Sequence, residues 1–261
     1  MYKKLRNSLL SAAAVLAVAA GLPNNAKADL FQVGFLLDSS GSITSGGWST
    51  IVNGLAGAIP QFLTSSDTYE LSVVSFSGTG QTQTIVNKQV ISLANIATLQ
   101  AAITGASFLN GNTNYADGFN AITTVMDPAH SSAAASYLNF ATDGQPNQPG
   151  SDPAAAGVTA RNAAIAAGID NISIEGIGGS VSVGYLTGSI CFPLACTTSP
   201  TFDFPAHGFY IPVASTADYA AAVEEKIRVI TGVPEPASLA VLGTALLGFG
   251  VIRRRQRHNA A

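Results

Sequence analysis

The sequence predicts an α/β fold, a parallel sheet covered by helices on both faces, and three observations carry that expectation. The apolar run Phe31-Gln-Val-Gly-Phe-Leu-Leu ends abruptly in Asp38-Ser-Ser40-Gly-Ser42, as a buried parallel strand does when it delivers polar groups into a tight loop. Strand-like and helix-like segments alternate from there to about residue 230, and such alternation calls for a sheet between two layers of helices. A second strand-like stretch, Tyr137 to Thr142, ends in Asp143-Gly144. Two carboxylates therefore stand at strand ends, where open α/β sheets bind their ligands.

After the first strand, Trp48, Ile51, Val52, Leu55, Ile59 and Phe62 recur at spacings of three and four, which predicts an amphipathic helix over Gly46 to Phe62. Tyr69 to Phe76 alternates, Ser77-Gly-Thr-Gly80 turns, and a second alternating run reaches about Ile91, the pattern of a hairpin. A helix from Leu93 to Ile103 follows, then the loop Gly111-Asn-Thr113-Asn, then a helix from Tyr115 to Met126 that Asp127-Pro128 ends. Beyond the strand at 137 to 142, an alanine-rich helix is expected over Asp152 to Ala167, lying close to the sheet, with Arg161 on its solvated face. The remaining elements are a strand from Ile169 to Ile177, a strand from Gly208 to Val213 and a helix from Ala217 to Ile230.

About thirty residues, Gly178 to His207, separate the last two strands, whereas loops beyond about 12 to 15 residues are uncommon and often functional. Tyr185, Phe192, Phe202 and Phe204 lie in this insertion. They suit either a partner-contact surface or the packing of the loop onto the domain.

Both ends of the chain read as addresses rather than fold. Lys3, Lys4 and Arg6 precede an apolar run from Leu9 to Ala20, and Ala26-Lys27-Ala28 offers small residues at a signal-peptidase site. Residues 1–28 are thus expected to be a signal peptide, with the mature chain starting at Asp29. At the other end, Pro234-Glu235-Pro236 is followed by an apolar run over 237–252 and by Arg253, Arg254, Arg255 and Arg257. Those sixteen apolar residues span about 24 Å as a helix, short of a ~30 Å hydrocarbon core, so they make a marginal transmembrane segment with its arginines cytoplasmic. This tail is similar to the PEP-CTERM sorting signal, which implies cleavage by an exosortase near the Pro-Glu-Pro in a Gram-negative bacterium. An ordinary membrane anchor would have the same orientation and would differ only in keeping the tail.

A hydrophobic content of 47% with 10% charged residues excludes a disordered chain. Between Asp29 and Gly232 the basic residues are Lys88, Arg161, Lys226 and Arg228 against fourteen acids, a net charge of −10. Nucleic acid is therefore not an expected partner. Cys191 and Cys196 are the only cysteines, and at that spacing they can close a small disulfide loop in an oxidising compartment. No Cys-x-x-Cys redox motif and no zinc-spaced Cys and His set is present.

One Asp with Ser hydroxyls is a partial shell for a hard cation, which wants oxygen ligands in near-octahedral array. Taken singly, the Ser-Gly cluster, Thr113 and Asp143-Gly144 read as helix caps or turns. Taken together, Asp38-x-Ser40-x-Ser42, Thr113 and Asp143-Gly144 resemble the metal-ion-dependent adhesion site, or MIDAS, of von Willebrand factor A domains, the family of the integrin inserted domains. The resemblance covers residues 29 to about 231. It implies a doubly wound, Rossmann-like sheet of six strands in order 3-2-1-4-5-6, mostly parallel with one antiparallel edge strand. It implies further that Ser40 and Ser42 bind Mg²⁺ or Mn²⁺ directly, that Asp38 and Asp143 act largely through water, and that Thr113 joins when a partner's carboxylate completes the shell. The function so implied is an exported adhesion module at the cell surface or in the extracellular matrix, whose partner is a protein or an exopolysaccharide offering a carboxylate; the alternatives are a structural matrix or biofilm protein in which the metal only stabilises the fold and, less favoured, a metal-assisted hydrolase.

An enzyme is not expected. A phosphoryl-transfer site of the haloacid dehalogenase kind needs a second Asp where Ser40 stands. No Walker loop is present, and neither His130 nor His207 sits in a nucleophile-elbow context.

Overall fold

In the computed structural model the strand ending in Asp38, β1 (Leu30–Asp38), is the axis of a seven-stranded sheet of order β3-β2-β1-β4-β5-β7-β6. The other strands are β2 (Thr68–Phe76), β3 (Thr82–Val90), β4 (Ala135–Thr142), β5 (Asn171–Ile177), β6 (Thr197–Thr198) and β7 (Phe209–Val213). All neighbouring pairs are parallel except β2 with β3, the hairpin at one edge. The structure describes residues 28–194, 196–198 and 202–232. The expected export signal, Ala28 apart, and the whole of the expected sorting tail, including Pro234, Glu235, Pro236 and the apolar run 237–252, lie outside the described residues. Among the described residues no helix is long and apolar enough to cross a membrane.

The alternation of β1 builds two cores at once. Val33, Phe35 and Leu37 face one side, where they meet α1 (Thr44–Ala58), α2 (Ile96–Thr104) and α5 (Tyr219–Thr231). Leu36 faces the other, where α3 (Tyr115–Met126) and α4 (Pro153–Ala166) lie. With neither face exposed, the strand needs the near-continuous apolar run that the sequence shows. Helix α3 comes close to the sheet at two glycines: a Cβ on Gly34 would stand 2.4 Å from the Met126 sulfur, and one on Gly118 2.9 Å from the Phe76 ring.

Several boundaries differ from the sequence reading, each for a local reason. The first helix stops at Ala58 and tightens into a 3₁₀ turn over Ile59–Thr64, because Pro60 has no N–H to continue the α-helical ladder. The second begins at Ile96, three residues later than expected, with Leu93 84% exposed. There Asn95 turns its carboxamide oxygen back onto the N–H and hydroxyl of Ser92, while the N–H groups of Asn95 and Ile96 both donate to Ser92 O, so a capped turn precedes the regular helix. The stripe of Gly157, Ala160 and Ala164 brings α4 closest to α3 rather than to the sheet; a Cβ on Gly157 would lie 3.2 Å from that of Tyr115. The seventh strand is the two-residue β6, which extends the expected six-strand order beyond β7.

The insertion is part of the core. Leu186, Ile190 and Cys191 are fully buried beside α4. Phe192 exchanges two backbone hydrogen bonds with Ile172, of 2.8 and 3.0 Å, along the part of β5 that β7 does not reach. Cys191 and Cys196 are joined as a disulfide. Phe202 and Phe204 meet the Phe209 ring in tilted and edge-on contacts on the opposite face. Phe192, Phe202 and Phe204 are thus half-buried, packed against the two cores.

Arg161, expected in solvent, is buried. Its guanidinium donates to the carbonyls of Ile190 and Cys191 and sits 5.3 Å over the Phe192 ring. An irregular segment leaves backbone carbonyls without ladder partners, and a cationic fork satisfies two of them at once. Lys226 is buried as well, 2.7 Å from Glu175. With two of its four basic residues sequestered, the domain presents an acidic exterior.

Candidate metal centre

Parallel β1 and β4 pair at the point where strand order reverses, so Asp38 and Asp143 leave adjacent strands at the carboxyl edge of the sheet. The short loop after β1 makes a 3₁₀ turn over Gly41–Ile43 before α1 begins. This carries Ser42 outward while Asp38, Ser39 and Ser40 stay buried.

Four of the five residues singled out from the sequence meet through side chains. The hydroxyls of Ser40 and Ser42 lie 3.1 Å apart, and Ser42 donates to Oδ1 of Asp143 at 2.8 Å. Asp38 is held from behind, one oxygen accepting from the Ser40 N–H at 2.9 Å and the other from the Thr142 hydroxyl at 2.7 Å. Thr113 arrives through backbone rather than side chain. Gly111 forms a parallel bridge to Ser40, its carbonyl accepting from Gly41 N–H at 2.8 Å, and Asn110 N–H donates to Ser39 O at 3.0 Å. Asn110 takes a left-handed φ of 53° to make that turn, a conformation Asn tolerates better than most residues.

Residues outside the motif hold these loops. Asn147 accepts from Thr113 N–H at 2.9 Å, and the Ser77 hydroxyl accepts from Gly111 N–H at 2.7 Å and donates to Asn112 O at 3.0 Å. The buried Tyr115 hydroxyl reaches Gly144 O at 2.6 Å and Thr142 Oγ1 at 3.0 Å, tying α3 to the Asp143 turn. Thr142 is next to a motif residue and could have been singled out for that reason. Ser77, Tyr115 and Asn147 carry no pattern in sequence that would mark them.

The electrostatics suit a cation. Burial raises the Asp38 carboxyl to about 6, against the hydrogen bonds from Ser40 and Thr142 that favour its ionised form. Asp143 is also raised, chiefly by desolvation. None of the described ion pairs involves either residue. Two carboxyls, the two serine hydroxyls and no nitrogen or sulfur donor make an oxygen-only set that fits a hard divalent ion. No three His, Cys, Asp or Glu side chains cluster among the described residues, so such an ion would rely on hydroxyl oxygens.

Fold and site together define a doubly wound α/β domain with an oxygen-lined candidate cation site at its switch point. The chain belongs to the von Willebrand factor type A domain family, whose pattern matches residues 32–177. Residues 232–255 match the PEP-CTERM protein-sorting motif, which marks an exported protein of a Gram-negative bacterium. No curated protein matches the chain.

Among solved structures, proximal thread matrix protein 1 from the mussel byssus superposes with a TM-score of 0.55 at 15% identity, covering 78% of this chain and 46% of that one. Another structure of that protein is described as having a zinc-occupied MIDAS motif. The pilus adhesin SpaC from Lactobacillus rhamnosus GG gives 0.56 at 13% identity, covering 78% and 31%. A von Willebrand factor type A protein from Catenulispora acidiphila gives 0.53 at 14% identity, covering 76% and 42%. The chain thus spans less than half the length of each of these proteins, and at such identities the likeness is one of fold. Family and sorting motif together make this an exported protein that carries a von Willebrand factor type A domain.

Proposed function

We propose that this protein is an exported adhesion module that holds a divalent cation through Asp38, Ser40, Ser42, Thr113 and Asp143, and that a protein partner's carboxylate binds there. The observation that carries this reading is the contact of Ser42 with Asp143 beside Ser40, three oxygen-bearing side chains from two strand ends converging with no cationic side chain among them. Ser40 and Ser42 would hold the ion through their hydroxyls. Asp38, anchored by the Ser40 N–H and Thr142, would act through water, as would Asp143. A bound cation would supply an open coordination position for an oxygen anion. With so few direct carboxylates its charge is left under-neutralised, which favours an acidic ligand.

Mg²⁺ or Mn²⁺ suits this oxygen set, and Zn²⁺ belongs in the same titration because of the mussel protein's zinc-occupied MIDAS motif. Export through a signal peptide and exosortase processing of a transiently anchored tail complete the reading. It describes a binding protein and not an enzyme.

A second reading, a structural matrix protein in which the ion only stabilises the fold, is favoured by the mussel thread matrix neighbour. Calorimetric titration with the three ions, together with pull-down from the producing cell's envelope with Mg²⁺ or chelator, tests both. The adhesion reading expects capture of a partner only with metal. Metal binding that raises the melting temperature while the same proteins are captured in chelator would favour the structural reading. No binding of any of the three ions at millimolar concentration would sink both.

A further inference from the structure

Asp38, Thr142, Gly176 and Pro212 stand in one row across four neighbouring strands, as the registers Leu37 to Ala141, Thr142 to Gly176 and Gly176 to Pro212 require. At about 4.8 Å per strand, Gly176 lies roughly 5 Å from Thr142 and roughly 10 Å from Asp38. From Gly176 outward the carboxyl edge of the sheet opens into a cavity of about 570 Å³, lined by Gly176, Val181, Val183, Tyr210 and Pro212 among others. That volume falls in the range of about 300–1,000 Å³ typical of ligand pockets.

Two features distinguish this cavity from a packing defect. Its floor depends on a glycine, since a Cβ on Gly176 would stand 2.2 Å from the Tyr210 hydroxyl. Tyr210 lines the cavity beside it. Val183, at 47% exposure, is one of few large apolar side chains left in solvent among the described residues, and it too lines the cavity.

We infer that this cavity is the specificity half of the binding surface, taking an aromatic or apolar side chain of a protein partner close in sequence to the acidic residue that reaches the metal centre. The inference rests on the proposed function and names what it would recognise. Uncharged walls with one hydroxyl match an aromatic side chain better than a sugar, whose many hydroxyls would lose water without finding partners. Side chains two residues apart on an extended peptide lie on one side, about 6.6 Å from each other. That spacing bridges the row from Thr142 to the cavity, so an Asp or Glu followed two positions later by Phe, Tyr or Leu is the expected ligand.

The test uses two acetylated, labelled pentapeptides, Gly-Asp-Gly-Phe-Gly and Gly-Asp-Gly-Ala-Gly, titrated into the purified protein in Mg²⁺ and read by fluorescence anisotropy. The Phe peptide is expected to bind about tenfold or more tightly than the Ala peptide. Val183→Glu, at an exposed position, should abolish that difference and leave calorimetric Mg²⁺ affinity unchanged. Equal affinities, or a difference that survives Val183→Glu, overturn the inference. N-acetylphenylalaninamide alone, followed by the methyl resonances of Val181, Val183 and Val213, reads the cavity without the metal. Shifted methyls beside a failed Mg²⁺ titration would sink the metal reading and keep the pocket; unshifted methyls at millimolar probe would remove the pocket whatever the metal does.

Discussion

Thr142 donates its hydroxyl proton to Asp38 across 2.7 Å, joining the ends of two strands 104 residues apart in sequence. That bond fixes which way one carboxylate faces, and the Tyr115 hydroxyl 3.0 Å behind Thr142 fixes Thr142 in turn. The candidate centre is thus supported by side chains that never face the ion.

Partners of this kind typically contribute 10- to 100-fold in metal affinity when a site is loaded. Thr142→Val, which keeps the shape and removes the donor, should weaken Mg²⁺ or Mn²⁺ binding by a factor in that range. Asp143→Ala should weaken it at least as much, while Asp127→Ala, which loses only partners outside the centre in Lys88 and His130, should leave calorimetric affinity unchanged.

The Asp38 carboxyl makes the metal-free domain sensitive to pH. Its folded-state value of about 6 exceeds the ordinary 3.8, so between those values the folded chain keeps a proton that the unfolded chain has released. Stability from this group is therefore full below about pH 4 and is lost as pH rises through 6. Asp38→Asn should stabilise the metal-free protein by about 2 to 3 kcal/mol at pH 7 and by little at pH 4, as read from urea denaturation in chelator. The same substitution should reduce the stabilisation that metal gives at pH 7.

Because the insertion is built into the core, its removal is costly. Leu186→Ala, at a fully buried position, should lower unfolding free energy by about 2 to 5 kcal/mol. Replacing residues 180 to 205 by a Gly-Ser linker should prevent stable folding, as measured by loss of a cooperative melt.

Lys226 and Glu175 form a fully buried pair at 2.7 Å. Lys226→Met alone leaves the Glu175 carboxylate without its countercharge and should cost about 3 to 5 kcal/mol. Adding Glu175→Gln should recover much of that loss, which a double-mutant cycle in urea would show.

Exosortase processing predicts a mature protein ending near residues 232 to 236, as read by intact mass of material from its own host. Recovery of a mature form still carrying Arg253 would mean that the tail is a retained anchor.

The sequence by itself determined the alternation of strands and helices, because burial on both faces leaves a local apolar pattern. It also determined four of the residues that converge, because Asp38, Ser40 and Ser42 sit in one turn and Asp143 follows a strand of the same kind. It could not determine that Ser77, Tyr115 and Asn147 hold the loops, since their hydrogen bonds join positions 27 to 35 residues apart with no spacing to mark them. Arg161 and Phe192 show the same limit. Charge predicted solvent for one, and loop length left surface or core open for the other. Only the tertiary structure decided, by leaving part of β5 unpaired beyond the reach of β7: Phe192 supplies the missing backbone partners there, and Arg161 satisfies the carbonyls that the irregular segment carries inward.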